Sequence, residues 1–119
     1  MMDEKKKTQT IQKISERLQL FSNLEETLDK LGDDAIEAFA EDAMDQALED
    51  GFTEANVVRG ASFLAAHFCT VASNTNSNIS KQQASVLTIE YFDRGGSDDY
   101  LAEYKRLKNS LGKNMITFL

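Results

Sequence analysis

Asp33-Asp34-Ala35-Ile36-Glu37-Ala38-Phe39-Ala40-Glu41-Asp42-Ala43-Met44-Asp45-Gln46-Ala47-Leu48-Glu49 is the stretch whose reading decides the fold. Its apolar residues recur at intervals of three and four, the period of an amphipathic helix. Asp33 or Asp34 can cap the free amides at its start, with Glu37 three residues beyond Asp34 as in a capping box. Gly51 supplies the stop. On a wheel of about 100° per residue, Asp34, Glu37, Glu41, Asp42, Asp45 and Glu49 fall within about 140°. Ile36, Phe39, Ala40, Ala43, Met44 and Ala47 occupy the opposite side. One face is carboxylate and the other is core.

Outward from this helix, the same period continues in both directions. Ile11, Ile14, Leu18 and Phe21 form one stripe, which shifts to Leu24, Leu28 and Leu31 before Gly32. A single long helix from about Thr10 to Leu31 is the expectation, with a break at Ser22 as the alternative, since Ser22 and Glu25 could form a capping box. Residues 1–9 are polar and read as a flexible arm carrying Lys5, Lys6 and Lys7; residues 10–119 read as one helical domain.

Thr53 restarts a helix over about 54–72. Val57, Ala61, Leu64, Phe68 and Val71 share one side, Val58, Ala65 and Ala72 widen it, and Phe63 reaches further round. A helix apolar over so much of its girth belongs at the centre of a bundle. Residues 73–80 are short polar side chains that compete for backbone hydrogen bonds, the signature of a loop. Ser80 with Gln83 then predicts a fourth helix carrying Ala84, Val86, Leu87, Ile89, Tyr91 and Phe92. Arg94-Gly95-Gly96 interrupts it. A last helix, from Ser97 or Asp98 to Gly112, places Tyr100, Leu101, Tyr104, Leu107 and Leu111 on one side. Met115, Ile116, Phe118 and Leu119 give the remaining tail an apolar character that predicts burial against the domain or a partner.

The fold class expected is therefore all-α, a compact bundle of four to six helices. The 119 residues suffice for one domain with its own core. Proline is absent, so no helix is interrupted by one.

Charge bounds the partners. Twenty acids oppose thirteen bases, a net of -7. Residues 25–54 hold twelve acids against Lys30 alone, a local net of -11 that exceeds the whole chain's. Such a surface repels free nucleic acid and anionic membranes and favours a basic protein partner. Lys105, Arg106, Lys108 and Lys113 gather the opposite charge in the last helix. That polarity permits self-association as a homodimer, or a contact with the acidic face inside one chain. No stretch reads as an export signal or a membrane span, so the expected location is cytoplasmic.

Chemistry-bearing motifs are few. Cys69 stands alone, which excludes an internal disulfide, and its apolar setting predicts a buried thiol. His67 is the only histidine, two positions from Cys69, a spacing that does not place two side chains face to face on a helix. Gly95-Gly96 lacks the lysine and spacing of a phosphate loop. No Glu-x-x-His occurs, and the Asp93–Asp99 segment breaks the calcium-loop pattern. No cofactor or metal is expected. The leading expectation is a noncatalytic interaction protein, a regulator, adaptor or inhibitor docking a basic surface through Asp34, Glu37, Glu41, Asp42, Asp45 and Glu49. Two alternatives stand beside it: a nucleic-acid mimic occupying a basic groove, and a small enzyme or ligand binder using His67 with Tyr91, Tyr100 and Tyr104.

Overall fold

The computed structural model describes residues 3–21, 24–75 and 99–117. Within them the chain forms five helices and no strand: α1 (Glu4–Leu20), α2 (Glu25–Leu31), α3 (Asp33–Glu49), α4 (Val57–Thr75) and α5 (Asp99–Thr117). The helix expected over 80–92 lies outside the described residues, as do Ser22 and Asn23.

α4 packs against each of the other four helices. Its sequence explains that position. Leu64 through Cys69 are six consecutive buried residues, so the helix has no solvent face along this stretch. Two of its hydroxyls find backbone acceptors: Ser62 Oγ donates to Val58 O, and Thr70 Oγ1 donates to Ala66 O at 2.8 Å. Around α4 the core gathers Ile14 and Leu18 of α1, Leu28 and Leu31 of α2, Phe39, Ala43 and Met44 of α3, and Leu101 and Tyr104 of α5. Phe39 meets Phe68 with ring centres 6.1 Å apart.

Element boundaries differ from expectation in several places. α4 spans Val57–Thr75 rather than about 54–72, and so takes in residues 73–75, which read as the start of a loop. Three other differences have a local reason. α1 begins at Glu4, inside the segment read as a flexible arm. Asp3 caps it, its Oδ1 accepting from Lys6 N at 2.8 Å, and Thr10 is already buried against the bundle. The long helix expected to Leu31 is instead two, because α1 ends at Leu20 and Phe21 turns into extended backbone. The Phe21 ring then packs at a tilt against Phe63 and Tyr100, with centres 5.5 and 5.4 Å away, where the chain changes direction. Finally, α5 passes through Gly112 and continues to Thr117. A glycine weakens a helix interior by about 1 kcal/mol but does not end it.

The limits of α3 match the sequence reading, though its first cap does not. Gly32, at φ 91°, is at once the end of α2 and the start of α3. Its N–H donates to Leu28 O at 3.1 Å, and its carbonyl accepts from Ile36 N at 3.2 Å. Asp33 and Asp34 thus sit inside the first turn, where they complement the helix dipole rather than cap it. At the other end Gly51, at φ 112°, allows Gly51 N to donate to Leu48 O and Phe52 N to Ala47 O, the paired bonds of a Schellman stop.

Candidate functional site

α1 and α3 lie side by side and run in opposite directions. Lys6, near the start of α1, reaches Glu54, just past the end of α3, with Nζ to Oε2 2.7 Å. Glu54, pairing with it through a hydrogen bond and charge, holds the Lys6 ammonium above its ordinary pKa. Two adjoining grooves share Lys7 on their walls, the first between the two helices and the second along the end of α3 and the turn that follows it.

The first groove has a volume of about 660 Å³. α1 contributes Lys7, Thr8, Ile11, Gln12, Ser15 and Gln19, with Glu4 at its end, and α3 contributes Asp33, Ile36, Glu37 and Glu41. The second, about 640 Å³, is bounded by Lys7, Met44, Asp45, Leu48, Glu49, Thr53 and Glu54. Each falls within the usual size of a ligand cleft, about 300–1,000 Å³. Apolar side chains form part of each floor: Ile11 and Ile36 in one, Met44 and Leu48 in the other.

The carboxylates of α3 are ordered along these grooves. Asp33, Glu37, Glu41, Asp45 and Glu49 recur every four residues, a spacing of about 6 Å along the helix axis. Such a ridge drifts about 40° per step. Its first three members therefore flank the first groove and its last two the second. Asp33, Glu41, Asp45 and Glu49 make no ion pair among the described residues, and neither does Lys7. Of the six residues singled out from the sequence, Glu37 and Glu41 come together in one groove and Asp45 and Glu49 in the next. Asp34 is exposed outside both, and Asp42 is half-buried away from them.

Arg106 and Lys108 of the last helix find their partners away from this face. Arg106 pairs with Glu103 on its own helix, and Lys108 reaches Asp50 Oδ1 at 3.6 Å. That second contact belongs to a site the sequence did not reveal. Asp50, with a side chain only 12% exposed, accepts hydrogen bonds from Tyr104 Oη and from Gln46 Nε2 at 3.1 Å. Burial first, and then the bond to Asp50, hold the Tyr104 phenol well above the ordinary tyrosine range. The Phe52 ring stacks on Tyr104 at 5.5 Å. Gly60 makes room for Phe52: a Cβ there would stand 2.7 and 2.8 Å from Phe52 Cζ and Cδ1. Thr53 and Asn56 close the corner, Thr53 N donating to Asn56 Oδ1 at 2.7 Å and Ala55 N to Thr53 Oγ1 at 3.3 Å. The bond from Tyr104 to Asp50 joins residues 54 apart in sequence, and only the Asp50-Gly51 turn marks the place in advance.

His67 and Cys69 are both fully buried in α4, and neither groove touches them, Tyr100 or Tyr104. Tyr91 lies outside the described residues. Burial pushes the Cys69 thiol up to about 12, which keeps it protonated and unreactive at neutral pH. Among the described residues no group of three or more His, Cys, Asp or Glu could hold a metal ion, and no helix is long and apolar enough to cross a membrane.

No known protein family, curated protein or solved structure matches this chain.

Proposed function

We propose that this protein is a noncatalytic interaction domain of the cytoplasm, a small regulator, adaptor or inhibitor that docks a basic partner through the carboxylate face of α3. The observation that carries this reading is the row of acids beside an open, partly apolar groove, of which Asp33, Glu41, Asp45 and Glu49 make no ion pair among the described residues. Like charges four apart cost a helix a few tenths of a kcal/mol per pair. A cationic partner relieves that repulsion on binding, and the long-range field speeds its encounter while rejecting acidic competitors.

Docking is favoured over nucleic-acid mimicry by the opposite wall. Apart from Glu4 at its end, α1 presents Lys7 with neutral Thr8, Gln12, Ser15 and Gln19, so the acids are concentrated on one ridge rather than in a two-sided array. A homodimer remains part of the proposal, with Leu20, 80% exposed at the end of α1, as an apolar residue available to a second copy. Sedimentation equilibrium checks it: a mass equal to one chain at micromolar concentration removes the dimer from the proposal.

The test of docking is affinity capture at low and high salt with the wild-type chain and with the triple variant Glu37→Lys, Glu41→Lys, Asp45→Lys. Partners held by the wild type should leave at high salt and be missing from the variant, whose circular dichroism stays helical. Equal retention by the two proteins would sink the reading.

A further inference from the structure

The partner element that fits these grooves can be specified further, on the footing of the docking reading above. We propose that the α1–α3 grooves receive a cationic amphipathic helix, with an apolar stripe on their floor, a row of Lys or Arg along the α3 ridge, and a non-basic residue opposite Lys7.

Three features carry this choice. First, the walls of the first groove are the helices α1 and α3, and α3 runs on along the second, so their ridges and hollows match the side-chain rows of a third helix laid along them. The described residues offer no sheet edge to which an extended peptide could add. Second, the charges have a helical repeat. Carboxylates every four residues, about 6 Å apart along α3, meet cations placed every three or four residues on an opposing helix. The apolar floor requires that those cations flank a stripe of Leu- or Ile-like residues over Ile11 and Ile36, and then over Met44 and Leu48. Third, Lys7 interrupts the negative field where the two grooves meet. It makes no ion pair among the described residues, so a cation opposite it is repelled and an acid there is welcomed. The recognition code is thus basic, then neutral or acidic, then basic, along about four helical turns. A second copy of this chain does not supply it from α5, whose Leu101, Tyr104, Leu107 and Leu111 are packed into its own core.

The experiment uses the full chain and three labelled peptides of about sixteen residues, long enough to span some 24 Å as a helix. The first segregates Leu and Lys on opposite faces and carries one Glu at its centre. The second has the same composition in shuffled order. The third is the first with the central Glu replaced by Gln. Fluorescence anisotropy is read at about 0.05 and 0.5 M salt, where the screening length falls severalfold. The expected result is that the first peptide binds at least about tenfold more tightly than the second, gains helical circular dichroism on binding, and weakens at high salt. The preference for Glu over Gln at the centre should vanish in the Lys7→Gln variant, which leaves the α3 ridge untouched. Equal binding of the ordered and shuffled peptides, abolished by Glu41→Lys with Asp45→Lys, overturns the helical occupant while leaving basic docking in place. Failure of every cationic peptide to bind overturns both.

Discussion

Glu49 and Asp50 are neighbours in the chain, yet they belong to regions that use a carboxylate in opposite ways. Glu49 is exposed, makes no ion pair among the described residues and ends a ridge of acids that line the grooves. Asp50 turns inward and accepts from Tyr104 and Gln46, with Lys108 close by. The difference shows that charge density and structural importance are separable. The dense row of acids marks a surface, while a single acid one residue further on fastens the end of α3 to α5.

This contrast can be broken most forcefully at the corner. Phe52→Ala removes a ring packed between Gly60 and Tyr104, and should cost about 3–5 kcal/mol in chemical denaturation. Gly60→Ala should cost about 1–3 kcal/mol in the wild-type background, because a buried ring must move. In the Phe52→Ala background the same change should be neutral or stabilising, since alanine favours helix and the obstacle is gone. A double-mutant cycle that shows no such coupling would remove the close-approach account of Gly60.

Tyr104→Phe comes next. It leaves the ring stack in place but takes the donor from a largely buried Asp50, for an expected loss of about 1–3 kcal/mol. Asp50→Asn should then cost less in the Tyr104→Phe background than alone, because the two changes remove one shared bond.

Alkaline titration probes the same interior without mutation. Below pH 9 the Cys69 thiol is protonated in both folded and unfolded chains, so it contributes no pH dependence. From there to about 12 only the unfolded chain releases the proton, and stability falls as pH rises, by up to about 1.4 kcal/mol per pH unit. The raised Tyr104 phenol adds a loss of the same sign above its ordinary value near pH 10. Cys69→Ala should flatten the first part of this decline in denaturation midpoints measured across the range.

The smallest effect belongs to the ridge. Glu41→Gln or Asp45→Gln should change stability by no more than about 0.5 kcal/mol, with relief of like-charge repulsion favouring a small gain. A loss comparable to that of Tyr104→Phe would show that the ridge is structural after all.

What the sequence disclosed follows the same division. Periodicity located the apolar stripes of the described helices because their spacing is local, although it joined α1 and α2 into one. The ridge was visible for the same reason, since residues four apart on one helix are neighbours in any fold. The grooves were not visible, because they depend on which helix lies beside α3. The arm at residues 4–9 was misread because Lys5, Lys6 and Lys7 carry no apolar period, although Asp3 stood ready as a cap. The break after Leu20 depends on Phe21 meeting Phe63 and Tyr100, partners 42 and 79 residues away. Gly60 carried the least sign of its role, because a missing side chain shows its purpose only once Phe52 is placed against it.

Gly32 sets the phase of the whole arrangement. It is the single residue between α2 and α3, so the count of residues there fixes which side of α3 looks inward. One inserted residue would rotate everything after it by about 100°. If the bundle kept its shape, Asp42 would then occupy the place of Ala43, and Gln46 that of Ala47, both of which are completely buried. One deleted residue would instead carry Glu41 into the place of Ala40 and Asp45 into that of Met44, which are 0% and 1% exposed. The acidic ridge can therefore exchange its letters freely, but the joint before it tolerates no change of reading frame in space.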